Sequence, residues 1–418
     1  MVYFGKKILT TETLRDKEER MSFQTKIDLI QQKLQEYKLD GWLLYNFRNT
    51  NIFATKILEM PTDKLSSRRY FYFIPAKGTP QKLVHSIEQY DLDHLPGEKI
   101  IYNQWKTLHD GLKKLLSEAK NLCMEYSPNN DIPYLSKVDA GTLEFIRAFG
   151  VNVVSSGNIV QYFEARWSEE QYNDAQDTAN ILLRIIDKAF NYIGENLRAG
   201  EKITEYDVQR LIMNEFEKNN LTTYSPANCS VNINGANPHY EPTAEQSETI
   251  IKGDYILIDW WAKKKKPGAV YADFTWVGYA GKNIPAKYQE VFDIVKGSRD
   301  AAVDFLRKEF RAGRKVRGCD VDDVARKYID DLGYGKYFVH RTGHNIGEEV
   351  HGNGAHIDNF ETMDVREIIP ETCFSIEPGV YLPEEFGVRL EIDVYISKNK
   401  EVILLGDEFQ KEIVKIDC

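Results

Sequence analysis

Long apolar runs are missing from this 418-residue chain. No stretch approaches the roughly 18 residues that a membrane span needs. The first twenty residues, MVYFGKKILTTETLRDKEER, are polar and charged and lack the apolar segment of a secretory signal. Residues 1–21 read as a loose N-terminal arm, with Met21 as an alternative start. Cysteine is scarce: Cys123, Cys229, Cys319, Cys373 and Cys418 are odd in number, widely scattered and form no CxxC pair. A disulfide framework is thereby excluded, and a reducing, cytoplasmic setting is the expectation. Net positive charge is absent as well. At −10 the chain repels a phosphate backbone, so nucleic-acid binding would need a strong local patch.

What is present is alternation of helical and strand-like periods. Ile27, Ile30, Leu34 and Tyr37 share one helical stripe, which Asp40-Gly41 ends before the strand Trp42–Tyr45. Strands are expected near Tyr70–Pro75, Lys82–His85 and Asn121–Tyr126, with a helix near Asp110–Ala119. This is the pattern of an α/β domain, placed at residues 22–160. Ser168 followed by Gln171 then fits a capping box. It opens a helix carrying Ala175, Ala179, Leu182, Ile186, Ala189 and Ile193. A second domain is placed at residues 161–418.

That second part repeats itself. RAGEKITEYDV begins at Arg198 and RAGRKVRGCDV at Arg311. The same step carries Leu182, Ala189, Ile193 and Leu197 onto Val295, Ala302, Leu306 and Phe310. Each copy reads as a long amphipathic helix, a glycine stop (Gly200, Gly313) and a second helix. A duplicated half-domain makes a pseudo-two-fold pair with a ligand site in its seam.

Strand-like sequence follows each helix pair. In DWWAKKKKPGAVYAD, Pro267-Gly268 marks a hairpin turn. Regular pairing would set Asp259 and Asp273 directly opposite each other on one face, with the four lysines at the exposed tip. That placement removes the nucleic-acid reading of the lysine run. In the second copy Glu377 and Glu391 flank a turn around Pro383-Glu384-Glu385 with the same separation. Four acids among apolar residues need a neutralising cation. Between the hairpins, His340, His344, His351 and His356 account for four of the eight histidines, and His239 lies in NPHYEP. Carboxylates with an imidazole suit Mn²⁺ above all, with Co²⁺, Fe²⁺ or Zn²⁺ as alternatives. Four negative charges call for two ions. His356 reads as structural and Tyr381 as packing.

These residues resemble the pita-bread metallopeptidases: methionine aminopeptidase, aminopeptidase P and prolidase, with creatinase as a metal-free relative. The resemblance is carried by GHNIG, IEPGVY and VRLEIDV and by the order Asp, Asp, His, Glu, Glu. It implies an α+β fold: a pita-bread catalytic domain with pseudo-two-fold duplication, preceded by a smaller α/β domain of creatinase type. It implies that Asp259, Asp273, His344, Glu377 and Glu391 hold two divalent ions. Glu377 would also shuttle the proton and His351 would bind the carbonyl oxygen. His239 and His340 would line the proline side, and Arg389 would fix a carboxylate or bind substrate. Three departures stand out: Asp259-Trp260-Trp261 where the family has Asp-x-Gly, a longer gap to Asp273, and Glu391-Ile392-Asp393 in place of an acidic pair.

The N-terminal domain argues against a plain methionine aminopeptidase, and the retained ligands argue against creatinase chemistry. The resemblance therefore implies a homodimeric exopeptidase acting on short peptides with proline in second position, as an Xaa-Pro aminopeptidase or an Xaa-Pro dipeptidase. Neither nucleic acid nor membrane is an expected partner. The rival reading is an inactive pita-bread scaffold that binds peptides.

Overall fold

The computed structural model describes residues 22–61 and 63–418. The arm expected over residues 1–21 lies outside the described residues. The chain divides into two compact units, one ending at Ile159 and one spanning Val160–Cys418.

The first unit holds a six-stranded sheet. Its strands are β1 (Gly41–Asn46), β2 (Tyr70–Pro75), β3 (Gln81–His85), β4 (Glu98–Tyr102), β5 (Asn121–Met124) and β6 (Asn152–Ser155), in the spatial order β4-β3-β2-β1-β5-β6. Pairing is antiparallel at β1/β2 and β2/β3 and parallel elsewhere. Helix α1 (Phe23–Glu36) starts at Ser22, whose hydroxyl accepts from the Thr25 N–H at 3.1 Å, and buries Ile27, Ile30 and Leu34. Helices α2 (Ile52–Ile57), α3 (Trp105–Leu115) and α4 (Ala140–Arg147) complete the unit. Asp40 does more than break a helix. Its Oδ2 accepts from the N–H groups of Lys120 (2.8 Å) and Asn121 (2.7 Å), fixing the start of β5 beside β1. Strands β4 and β6 are the two edges of the sheet and lack a continuous apolar run, so no periodic signal marks them in the sequence.

The boundary falls within helix α5 (Gly157–Glu164). Beyond it, α6 (Glu169–Ala199) starts with the Ser168–Gln171 capping box and buries the expected stripe from Ala175 to Ile193. Each fully buried Leu or Ile on that stripe contributes roughly 1.5–3 kcal/mol. Gly200 ends the helix at φ 71, where a side chain would be strained. Helix α7 (Glu205–Lys218) follows.

The second copy repeats this element by element. Helix α8 (Ala286–Arg311), Gly313 at φ 68 and helix α9 (Gly318–Asp331) occupy the positions the repeat assigns them, and α7 and α9 are 14 residues each. The shared Asp of the two motifs has a shared task. Asp207 accepts from the Thr204 N–H and Asp320 from the Arg317 N–H, both at 2.9 Å, closing the N-termini of α7 and α9.

Each helix pair is followed by a hairpin. Strands β7 (Leu221–Thr222), β8 (Asn228–Val231), β9 (Tyr255–Lys264) and β10 (Ala272–Tyr279) form the first sheet, joined at its far edge by β17 (Val414–Lys415). Strands β11 (Asn345–Ile346), β12 (Thr372–Ile376), β15 (Ile392–Ile396) and β16 (Val402–Leu404) form the second, and β13 (Gly379–Leu382) pairs with β14 (Phe386–Arg389).

The lysine run differs from its expected place at the tip. Lys263 and Lys264 belong to β9 and pair with Thr222 and Leu221 of β7. Lys264 Nζ lies 2.9 Å from both Asp174 and Asp177 of α6, and Lys266 pairs with Glu170 at 2.6 Å and also with Asp174. Only Lys265 and Lys266 flank the exposed Pro267-Gly268 turn. The run clamps the hairpin to the first turns of α6.

Candidate metal centre

The two hairpins bring their acids together. On the first, Asp259 stands opposite Thr275, and Asp273 opposite Trp261. Asp259 and Asp273 are therefore diagonal neighbours on one face, and the expectation that they lie directly opposite fails by two residues. The cause is the loop after Lys264. The end of β9 turns its hydrogen bonds to β7, and the Tyr271 N–H bonds to the Gly347 carbonyl at 3.0 Å, outside the hairpin ladder. On the second hairpin the pairing is interrupted between Ile376↔Ile392 and Gly379↔Arg389, but both ends keep one register, which sets Glu377 level with Glu391. The hairpins meet where the Glu391 N–H donates to the Thr275 carbonyl at 3.1 Å.

His344 enters from the loop before β11. Its N–H donates to Ser375 Oγ at 2.9 Å, and its carbonyl accepts from the Ser375 N–H at 2.9 Å. A Cβ at Gly343 would collide with the Ser375 carbonyl oxygen, so the glycine of GHNIG permits this approach. His344 Nδ1 sits 3.4 Å from the Asn345 carbonyl. Its Nε2 faces three carboxylates: Glu377 Oε1 at 3.3 Å, Asp273 Oδ2 at 3.7 Å and Glu391 Oε1 at 3.9 Å.

The electrostatics of this arrangement are unfavourable without a cation. Burial, and then the charges of its neighbours beginning with Asp259, push the Asp273 carboxyl well above the usual carboxylate range. Glu391 is raised by burial and then by Asp273, and Glu377 is pushed up to about 7, chiefly by burial. Burial drives the His344 imidazole well below its ordinary value, so it offers a neutral nitrogen. Asp273 Oδ1, Glu391 Oε1 and Asp393 Oδ1 are buried with no hydrogen-bond partner among the described residues. Ligand atoms of Asp273, His344 and Glu391 all lie within 4.8 Å of one another. Orphaned buried oxygens around a neutral imidazole fit divalent ions, since such groups are otherwise costly to bury.

Asp259 is engaged differently. It pairs with the Arg389 guanidinium and accepts from Thr275 Oγ1 at 2.9 Å. Arg389 Nε reaches Thr275 Oγ1 at 3.0 Å, and Nη1 lies 3.4 Å from the Tyr381 hydroxyl. That hydroxyl is 2.8 Å from His340 Nε2, so Arg389, Tyr381 and the half-buried His340 form one polar chain. Burial and then the Arg389 charge push the His340 imidazole down to about 3. The reading of Tyr381 as packing is thus corrected: its ring packs, and its hydroxyl links two site groups.

The His351 ring lies against that of His344, with centroids 4.2 Å apart. His356 is buried and accepts from the Asn345 N–H at 3.0 Å. His239 stands apart: it is exposed, and its imidazole makes no hydrogen bond or ring contact among the described residues. The sequence reading missed Thr275, whose hydroxyl lies within 2.8 Å of Glu391 Oε2 as well as near Asp259. It also left Asp393 without a task, although its Oδ2 accepts from the Asp273 N–H at 2.8 Å. The signal was two-residue spacing along a strand from Asp273 and Glu391, which puts each on the site face.

Comparison with known proteins decides the family. Residues 180–398 match the model of metallopeptidase family M24. The chain belongs to this family.

Among curated M24 relatives, a putative dipeptidase YkvY of Bacillus subtilis is 25% identical over 321 residues, covering 75% of this chain and 77% of that one. An Xaa-Pro dipeptidase of Lactobacillus delbrueckii subsp. lactis is 34% identical over 161 residues, 38% of each chain. The dipeptidase PepE of Mycobacterium ulcerans superposes with a TM-score of 0.63 at 19% identity, over 94% of this chain and 98% of that one. An Xaa-Pro dipeptidase of Bacillus anthracis gives 0.57 at 19% identity, over 94% and 99%. These solved structures establish the fold: this M24 metallopeptidase has the pita-bread architecture. Among the described residues, no helix is long and apolar enough to cross a membrane.

Proposed function

We propose that this M24 metallopeptidase hydrolyses the bond between a peptide's first residue and a proline in second position, using two divalent ions, Mn²⁺ above all. The observation that carries the reading is the set of orphaned carboxylate oxygens around His344 Nε2, flanked by the His340–Tyr381–Arg389 chain. Asp259, Asp273, His344, Glu377 and Glu391 would hold the ions. Bound there, the ions supply Lewis acidity and a water acidic enough to attack a carbonyl at neutral pH. The Glu377 carboxylate takes the attacking water's proton and returns it to the leaving nitrogen, held in place by Ser375 Oγ at 3.1 Å. His351 donates to the carbonyl oxygen as negative charge builds on it. Arg389 orients Asp259, and with Tyr381 and His340 it borders the proline ring. His239, on its exposed loop, would line the same side.

The reading takes residues 22–160 as a creatinase-type domain and 161–418 as the catalytic domain, in a cytoplasmic homodimer. Similarity to an X-prolyl aminopeptidase from Caenorhabditis elegans, a cytosolic enzyme with a di-nuclear active site, supports the metal count and the compartment. The test is a panel of Ala-Pro, Ala-Pro-Ala and Met-Ala given to metal-stripped protein reloaded with Mn²⁺. Cleavage of the proline peptides with two ions bound per chain is expected. Ala-Pro alone marks a dipeptidase, and Ala-Pro-Ala an aminopeptidase. Binding of less than one ion with no cleavage would overturn the enzyme reading and favour the inactive scaffold.

A further inference from the structure

The tryptophan pair beside Asp259 is split by strand alternation. Trp260 is fully buried, donates to the Leu182 carbonyl at 3.2 Å and packs on Phe274 and Trp276. Trp261 points to the other face, which it shares with Asp259, and sits opposite Asp273. Its indole is only half-buried, and its Nε1 is shielded yet has no acceptor among the described residues. Tyr224 lies against this indole with centroids 6.0 Å apart and remains 66% exposed. Tyr271 meets Tyr224 edge-on at 6.4 Å, with Lys263 Nζ 4.8 Å from the Tyr271 ring. Burial first, and then the charges of Asp273 and Asp259, raise the Tyr224 phenol, so its ring stands in the field of the site acids.

The carboxylates thus have two unlike borders. Beyond Asp259 and Glu377 lies the polar chain of His340, Tyr381 and Arg389. Beyond Asp273 lies aromatic surface whose outer ring, Tyr224, is left exposed among the described residues. A substrate whose proline occupies the polar border turns its first side chain to the aromatic one.

We propose that Trp261 and Tyr224 form the contact surface for the substrate's first side chain and select a large apolar or aromatic residue there. This inference rests on the Xaa-Pro reading. Burying a Phe or Leu side chain against aromatic rings favours it over Gly by about tenfold or more.

The test compares kcat/KM for Gly-Pro, Leu-Pro and Phe-Pro in the Mn²⁺-loaded native chain and in Trp261→Ala, Trp261→Phe and Tyr224→Ala. A Phe-Pro to Gly-Pro ratio of about ten or more is expected. It should fall at least threefold in the two alanine variants, mainly through KM, and largely survive in Trp261→Phe. Tyr224 is exposed, so Tyr224→Ala carries the test if Trp261→Ala fails to fold. A native ratio near or below one, or a ratio unchanged in the alanine variants, overturns the aromatic surface while leaving the Xaa-Pro reading intact. If none of the three is cleaved, the same ratios are read on Gly-Pro-Ala, Leu-Pro-Ala and Phe-Pro-Ala, and failure of the metal-loaded chain to cleave either series overturns that reading and the inference with it.

Discussion

Two fully enclosed groups of acid, one in each unit, are built in opposite ways. Glu125 of the first unit is buried, yet every oxygen has a donor. Oε1 accepts from Trp42 Nε1 (2.6 Å) and Ser156 Oγ (3.1 Å), and Oε2 from Asn51 Nδ2 (2.7 Å). In the second unit Asp273, Glu391 and Asp393 are just as deep, yet each keeps an oxygen with no donor. Burial raises all four carboxyls. Depth and perturbed acidity therefore do not distinguish a structural acid from a site. Partner satisfaction does: Glu125 is finished by its own fold, and the acids around His344 are finished only by something from outside.

The largest effect that could break this comparison is on metal and turnover. His344→Ala removes the one neutral nitrogen facing three carboxylates. It should lower kcat by about a thousandfold or more and reduce bound Mn²⁺ per chain after dialysis. Glu125→Gln should leave both quantities within about twofold. Metal analysis and single-substrate kinetics on the two proteins decide the matter. Full metal occupancy in His344→Ala, or its loss in Glu125→Gln, would erase the distinction.

Stability should respond with opposite signs. Glu125→Ala strands the buried donors of Trp42 and Asn51, at about 1–3 kcal/mol for each donor left unpaired. Asp273→Asn in the metal-free chain removes a buried acid whose Oδ1 has no partner among the described residues and whose carboxyl is pushed by burial well above its ordinary range. Its effect should run from neutral to about 1 kcal/mol stabilising. Urea unfolding of metal-stripped protein, compared at equal m-value, reads both. A destabilised Asp273→Asn would mean that its carboxylate holds the empty site together.

Much of this was legible in the chain because local rules govern it. The stripes of α1 and α6, the Ser168–Gln171 cap, the glycine stops at Gly200 and Gly313 and the four acids flanking two turns are all matters of spacing. What stayed hidden depends on partners far away in the chain. The register at Asp259 depends on β7, which takes the end of β9. The task of Tyr381 depends on His340 and Arg389 converging on its hydroxyl. Lys264 reads as part of a basic tip because Asp174 and Asp177, its partners, come 90 and 87 residues earlier on another element. Thr275 is uncharged and attracts no notice until two acids are found beside it. Glu125 was not noticed at all: a lone acid in a strand-like run carries no sign of whether its fold will satisfy it.

The smallest effect is a pH slope, and it separates the two groups with the second one silenced. Burial raises the folded-state carboxyl of Glu125 above its unfolded value, so the folded chain holds that proton more tightly than the unfolded chain. Its contribution to stability is fully present below the unfolded pKa of about 4.3 and is lost as pH rises through the higher folded value. The slope from this one group is at most about 1.4 kcal/mol per pH unit. With Mn²⁺ saturating the second unit, the urea midpoint of the native chain relative to that of Glu125→Gln should fall from about pH 4.5 upward and then level off, because the buried histidines, pushed below their ordinary value in both proteins, cancel in the difference. Glu125→Gln supplies the baseline, since it has no proton to release at this position. Equal slopes in the two proteins would show that Trp42, Asn51 and Ser156 hold Glu125 ionised as readily in the fold as in water, making donor satisfaction strong enough to offset burial completely.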